Sequence, residues 1–168
     1  RRPPRSTLFP YTTLSDLLIA EYEPFLLDIE YDTLRKNNGL QRYLKNTRTN
    51  TLVSWHNFKQ TPTISTLKKK LSEMKKFSNN IKIVTMAKSI NDGSRILSLY
   101  NNNINVNLIA FSMGNFGKIS RLLCLLLGSP YTYVSLGRPI APGQFSLDEV
   151  KSIDRKSTRL NSSHALTS

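Results

Sequence analysis

The 168-residue chain is long enough for one domain with a hydrophobic core, and its 39% hydrophobic and 21% charged residues are typical of globular proteins. It has no run of about 18 apolar residues, which excludes a membrane-spanning helix, and its start lacks the apolar segment of a signal peptide. We therefore expect a cytoplasmic protein. The single cysteine, Cys124, excludes an internal disulfide and a thiolate metal cluster, and its apolar neighbours predict a buried structural thiol.

The two ends of the chain differ from its middle. Residues 1–14 and 155–168 show no helical or strand periodicity, and both resemble in-frame translations of sequencing-adapter DNA; natural disordered tails are the alternative. We expect both ends to be disordered and the folded domain to occupy residues 15–154. Without the ends the net charge falls from +13 to +7. The remaining basic residues are spread over helix-like stretches, which favours a solvated helix surface over a nucleic-acid groove.

Strand-like and helix-like segments alternate along the middle of the chain. An amphipathic piece at 14–22 comes first. Strands are predicted at 24–31, 51–56, 81–87, 106–113 and 131–136, and helices at about 33–46, 64–77, 89–101 and 116–127 and from Ser146 onward. Strands that begin about 25 to 30 residues apart, with helices between them, indicate βα units on a parallel sheet.

The predicted helix ends carry matching capping signals. Thr63 or Ser65 is a suitable N-cap for the second helix, and Ser89 for the third, with Asp92 in its first turn. Gly128 is placed to end the fourth helix in a left-handed conformation.

Two architectures fit this alternation, an open doubly wound sheet and a (β/α)8 barrel. Neither G-x-G-x-x-G nor G-x-x-x-x-G-K-[ST] is present, and the G-x-x-G in "SMGNFGKIS" is more often a loop than a phosphate cradle. In a barrel, the catalytic side chains gather at the carboxyl ends of the strands. The polar residues near those ends are His56, Asn57, Ser112 and Asn115.

Two residues suggest chemistry, each with an ordinary alternative. His56 closes a strand and is the one histidine outside the ends, but a lone histidine is often structural. Lys82 lies within the apolar strand "NIKIVTMA", where strand alternation places it on the face of Val84 and Met86. If that face is the inside of a barrel, desolvation frees a neutral amine to attack a ketone. If it is an edge, the lysine reaches solvent.

Five blocks in order resemble one family. The blocks "VSWHNFKQTP", "NNIKIVTMA", "AFSMGNFGKISR", "LGSPYTY" and "IAPGQFSLDEV", preceded by "DIEYD", resemble type I 3-dehydroquinate dehydratase, a shikimate-pathway lyase, over about residues 15–154. The resemblance implies a (β/α)8 barrel that dehydrates 3-dehydroquinate to 3-dehydroshikimate without a cofactor or metal. It also implies no nucleic-acid or membrane partner, and a homodimer in the intact family member.

The resemblance assigns roles to four residues. Lys82 matches the family's Schiff-base lysine and His56 its general acid–base histidine. Arg121 matches the arginine that binds the substrate carboxylate, and Gln144 the glutamine of the loop that closes over the substrate. A guanidinium suits this role because it binds a carboxylate through two hydrogen bonds.

The chain also departs from the family pattern in several places. The resemblance begins at the family's fourth strand, so we expect an incomplete barrel of about five βα units and little turnover from the chain itself. The family's Glu-x-Arg pair, and a further arginine and glutamate that help to bind substrate and orient the histidine, belong to the missing strands. Ile140 stands where the family often has serine or threonine. A different Schiff-base barrel enzyme, such as an aldolase, and a basic nucleic-acid-binding module are the alternative hypotheses.

Overall fold

A four-stranded parallel sheet forms the centre of the molecule. The structure, a computed structural model, describes residues 22, 24–102, 105–137 and 141–154. The strands β1 (Leu26–Glu30), β2 (Asn50–Asn57), β3 (Asn80–Met86) and β4 (Asn107–Met113) lie side by side in chain order. Each strand pairs with the next in parallel register. These four strands confirm the predicted ones within two residues at each end.

Helices connect the strands, as the alternating pattern predicted. They are α1 (Tyr31–Leu34), α2 (Asn38–Asn46), α3 (Ile64–Met74), α4 (Ile90–Leu97), α5 (Ser120–Leu126) and α6 (147–154), with 3₁₀ turns at Ser98–Asn102 and Asn115–Gly117. The predicted first helix is divided into α1 and α2. The predicted caps are confirmed: Thr63 accepts from the amide of Thr66, and Ser89 and Asp92 form a capping box. Gly128 follows α5 with a φ of +101°.

The predicted strand at 131–136 was wrong. Within it, only Ser135 forms a bridge, to Ser146, through an amide that donates to the carbonyl of Phe145 at 2.9 Å. The segment is drawn onto the face of the sheet because its aromatic side chains pack there: the Tyr133 ring lies 6.3 Å from that of Phe111 on β4. The sheet of the described residues therefore has four strands and not five. The predicted amphipathic piece, apart from Tyr22, and both chain ends lie outside the described residues.

The two faces of the sheet have different environments. One face packs against the helices, with Ile81 and Ile83 of β3 completely buried among side chains of α3 and α4 such as Leu67 and Ile96. We call the other the open face. It carries a smaller apolar cluster and all the charged side chains of the four strands. The open face includes Leu26, Asp28, Glu30, Leu52, Ser54, His56, Lys82, Val84, Met86, Ile109, Phe111 and Met113. The predicted side for Lys82 is confirmed.

Hydroxyl groups fasten the carboxyl ends of β3 and β4 on the helix-covered face. The hydroxyl of Thr85 is 2.8 Å from that of Thr61 and 2.9 Å from that of Ser112, and all three residues are buried. Ser120, at the start of α5, donates to the carbonyl of Gly117 and accepts from the amide of Ser112. Ser112 therefore stabilises the fold and does not face the candidate site, contrary to its place among the predicted polar residues.

Substitution of Gly117 with alanine should destabilise the protein. A Cβ at Gly117 would lie 2.6 Å from the carbonyl carbon and oxygen of Ser112, so the turn that leads into α5 has to shift. We expect Gly117→Ala to lower the free energy of unfolding by about 1–3 kcal/mol, as overpacking does. Gly137→Ala is the matched control, because nothing lies within 4 Å of its Cβ position. Urea unfolding measures both, and equal midpoints for the two variants would contradict the close contact.

Candidate active site

His56 is paired with a carboxylate of the neighbouring strand. Glu30 is the last residue of β1 and pairs in register with Ser54, so His56 lies one same-face position further along β2. Nδ1 of His56 contacts Oε1 of Glu30. A carboxylate at this position favours the tautomer with the proton on Nδ1, which leaves Nε2 as the acceptor. The ring can then accept a proton at Nε2 while the carboxylate stabilises the resulting cation.

Phe58 fixes the plane of the histidine ring. The Phe58 and His56 rings are stacked with centroids 5.6 Å apart and planes 9° from parallel. Phe58 itself is 68% exposed, so it covers the imidazole on one side without closing the site. The pair with Glu30 and the stack with Phe58 together restrict how the imidazole turns.

Lys82 is buried, and its charge is compensated by a second carboxylate of β1. The residue is 8% exposed, and its Nζ donates to Oδ2 of Asp28 at 2.5 Å. Nζ also lies 5.0 Å from the centroid of the Tyr133 ring. A buried ammonium without such partners would be strongly unfavourable. The amine is thus held on an apolar face beside a group able to receive its proton.

Arg121 is a buried cation with unused hydrogen-bonding capacity. It is 2% exposed at the start of α5, and its guanidinium carbon lies 4.5 Å from the centroid of the Phe111 ring. Among the described residues its Nε has no hydrogen-bond partner. Burial lowers the pKa of the guanidinium, although a nearby Cys124 raises it in part. A planar fork with a free N–H suits a carboxylate ligand.

An aromatic cluster of Phe111, Tyr131 and Tyr133 links the lysine to the arginine. The Tyr133 ring is 6.3 Å from that of Phe111 and 5.8 Å from that of Tyr131. Lys82 lies over Tyr133 and Arg121 over Phe111, so the two cations flank the same cluster. A ketone that carries a carboxylate has one partner at each end of this cluster.

Gln144 lies in a loop attached to the carboxyl end of β4. Its carboxamide oxygen accepts from the amide of Ala141 at 3.3 Å, within its own loop. The carbonyl of Pro142 accepts from the amide of Gly114 at 3.0 Å, and a Cβ at Gly143 would lie 2.5 Å from the carbonyl oxygen of Gly114. The backbone itself therefore seats this loop on the turn after β4. Ile140 lies outside the described residues.

The structure brings three of the four predicted residues onto one surface. Lys82 and His56 lie on neighbouring strands of the open face, and Arg121 joins them through the aromatic cluster. Of the other polar residues predicted there, Asn57 accepts from the amides of Lys59 and Gln60 and forms a turn.

Sequence reasoning missed three contributors to the site. Asp28 and Glu30 alternate in "DIEYD", and that spacing places two acids on one face of a strand, but only the side-chain contacts show which cations they reach. The carboxylate that orients the histidine was not expected on β1, but Glu30 contacts Nδ1 of His56 there. Tyr133 was missed because its segment was predicted to be a strand of the sheet.

The described part of the chain offers neither a metal site nor a membrane-spanning helix. There, no group of three or more histidine, cysteine, aspartate or glutamate side chains is arranged to hold a metal ion. Nor does any helix of the described residues have the length and apolar character required to span a bilayer. Cys124 is completely buried, and burial raises the pKa of its thiol, in agreement with the structural role predicted for it.

Comparison with known proteins agrees with this arrangement. A family model described as "Type I 3-dehydroquinase" matches residues 10–160. The chain is 41% identical over 134 residues to a 3-dehydroquinate dehydratase of Dehalococcoides mccartyi and 39% identical to one of Pyrococcus abyssi, covering 78% and 79% of this chain. The chain spans 60% of the length of each of these relatives.

Solved structures show the same likeness in three dimensions. The 3-dehydroquinate dehydratase of Geobacillus kaustophilus superposes with a TM-score of 0.69 at 27% identity, covering 76% of this chain and 51% of that one. The enzyme of Aquifex aeolicus superposes with a TM-score of 0.65 at 33% identity, covering 80% of this chain and 61% of that one.

Fold and site together define a protein of the (β/α)8-barrel class, of which the described residues form four consecutive parallel strands with their helices. A buried lysine and a histidine–carboxylate pair lie on the face that such a barrel turns inward. The chain belongs to the type I 3-dehydroquinase family.

The ion pair between Lys82 and Asp28 should give a measurable coupling free energy in a double-mutant cycle. We expect Asp28→Asn to lower the free energy of unfolding by about 2 kcal/mol, because it leaves a buried ammonium without its counter-charge; the exposure of Asp28 keeps the loss below that of a fully buried pair. In a Lys82→Met background the same substitution should cost less than about 0.5 kcal/mol. Urea unfolding of the four proteins gives the coupling, and additive losses would contradict a direct pair.

Proposed function

We propose that this chain carries the chemistry of 3-dehydroquinate dehydration, with Lys82 forming an imine to the substrate ketone. The observation that carries the proposal is the buried amine of Lys82, held beside Asp28 on the same face as the His56–Glu30 pair. The family membership of the chain supports the substrate and the reaction.

The first step requires a neutral amine. The ammonium of Lys82 transfers a proton to Asp28, to which it already donates. The free electron pair then forms a bond from Nζ to the ketone carbon, and the carbonyl π electrons move to oxygen, which takes the proton held by Asp28 to give a carbinolamine with a positively charged nitrogen. The hydroxyl then leaves as water together with one proton of that nitrogen, and the carbon becomes doubly bonded to a nitrogen that keeps its positive charge.

The second step removes a proton from the carbon next to the imine. Nε2 of His56 accepts the C2 proton, and the C–H electrons move toward the cationic nitrogen to give an enamine. Glu30 stabilises the resulting imidazolium through Nδ1. The stack with Phe58 holds the ring during the transfer.

The third step expels water. The enamine electrons return to form the C1–C2 double bond as the C1 hydroxyl leaves, and His56 returns its proton to that oxygen. Water then adds to the imine carbon, the bond to Nζ breaks, and 3-dehydroshikimate is released with Lys82 regenerated. These steps use side chains and water alone.

Arg121 and Gln144 are proposed to hold the substrate. The unpartnered Nε–H and the planar guanidinium of Arg121 form the carboxylate site. Gln144, in the loop seated on Gly114, is proposed to contact the substrate hydroxyl groups from above. The proposal also includes a cytoplasmic location and a homodimer formed by the intact family member. Both rest on the family to which the chain belongs.

Reductive trapping tests the role of Lys82. Incubation with 3-dehydroquinate and borohydride should give a stable adduct, and peptide mass spectrometry should place it on Lys82. The control is Lys82→Met, in which trapping should be lost while urea unfolding shows a folded protein. An absence of adduct in the unchanged protein, or equal labelling of exposed lysines such as Lys88, would overturn the proposal.

Arg121 can be tested through the same adduct. Loss of a charge-assisted hydrogen bond costs about 1.5–3 kcal/mol, so Arg121→Gln should raise the concentration for half-maximal trapping roughly ten- to a hundredfold. A ketone of similar size without a carboxylate should be trapped equally by both proteins. If the substitution affects both ketones alike, Arg121 acts on the structure and not on the carboxylate.

A further inference from the structure

Tyr133 presents its ring to the reactive amine. Nζ of Lys82 lies 5.0 Å from the ring centroid, within the range in which an aromatic face attracts a cation. The ring is fixed by its neighbours: it is tilted 55° to Phe111 and meets Tyr131 edge to face at 66°. Both contacts come from the aromatic cluster, so the orientation of the ring does not depend on the substrate.

We propose that Tyr133 is a positioning residue that keeps the nitrogen of Lys82 positively charged after the imine has formed. This inference rests on the proposed function, because it concerns the imine that Lys82 forms there. The ring face attracts the cation of the free ammonium, and it attracts the protonated imine in the same place. Lys82 then holds its protonated C=N bond against an electron-rich surface that stays in position through all steps.

The charge on the imine determines how well it withdraws electrons. A protonated imine accepts the C2 electrons readily, whereas a neutral imine is a much weaker electron sink. Asp28 favours the charge as well, but a carboxylate is also able to remove the proton. An aromatic face has no basic atom, so it stabilises the cation without competing for its proton.

The phenol of Tyr133 remains neutral in this environment. Burial raises its pKa, and the negative charge of Asp28 raises it further. Its neighbour Tyr131 is affected in the same way, with burial the largest cause and a pKa raised to about 12. The hydroxyl groups therefore stay protonated at neutral pH, and the contribution assigned to Tyr133 is that of its ring.

The test measures the protonation of the imine directly. Cyanoborohydride reduces a protonated imine and leaves a neutral imine intact, so the rate of Lys82 trapping with 3-dehydroquinate falls as the imine loses its proton with rising pH. We expect Tyr133→Leu to move this fall to lower pH by about half a unit to one unit, from the usual strength of a cation–π contact. Tyr133→Phe, which keeps the ring, should follow the unchanged protein.

Two controls separate the ring from other effects. Trp55→Leu removes an aromatic ring whose centroid lies 5.4 Å from Nζ of Lys70, on the helix-covered face, and it should leave the pH of the fall unchanged. If Tyr133→Leu does not fold, phenylalanines with one, two or three ring fluorines at position 133 replace it. They keep the shape of the ring but weaken its attraction for cations, and the fall should move stepwise to lower pH with each fluorine.

The outcomes distinguish the two proposals. A Lys82 adduct whose pH profile is the same in Tyr133→Leu and across the fluorinated series overturns the role of Tyr133 alone. A shift in Tyr133→Phe equal to that in Tyr133→Leu assigns the effect to the hydroxyl and also overturns it. An absence of Lys82 adduct in the unchanged protein at every pH overturns the proposed function, and this inference with it.

Discussion

The burial of one ammonium group on an apolar sheet face is the constraint that organises this molecule. Lys82 shares its face with Val84, Ile109 and Phe111, and a charge there requires partners from other elements. β1 supplies a carboxylate, and the segment after α5 supplies an aromatic ring. Asp28 pairs in register with Leu52 and Lys82 with Ser54, so the carboxylate reaches the amine diagonally across β2.

The same face carries its charges in complementary pairs, with one exception. Lys82 has Asp28 and His56 has Glu30, so both residues proposed to exchange protons already have a carboxylate beside them. Arg121 is different, because its guanidinium is packed on Phe111 and its Nε lacks a partner among the described residues. An anionic ligand would resolve that imbalance, and the aromatic cluster sets how far its carboxylate lies from the reacting amine. This unequal pairing is the reason that the carboxylate site is proposed at Arg121 and not at Lys82 or His56.

Much of this could be predicted from the sequence because it depends on local patterns. Strand alternation was sufficient to place Lys82 and Ile83 on opposite faces, and capping residues marked the start of α3 and α4. The pairing of Glu30 with His56 depends on strand register, which no local pattern encodes. The segment at 131–136 has the composition of a strand, yet its tyrosines gain more by covering the open face than by extending the sheet. That competition is decided by tertiary packing.

The seating of the Gln144 loop on Gly114 links two parts of the site mechanically. The contact is made by backbone atoms and requires glycine at position 143, where a Cβ would lie 2.5 Å from the carbonyl oxygen of Gly114. Gly114 also begins the short turn that leads into α5 and Arg121. The loop and the start of α5 are therefore both attached to the backbone at the end of β4. The position of Gln144 relative to Arg121 is thus set by a short stretch of backbone around Gly114.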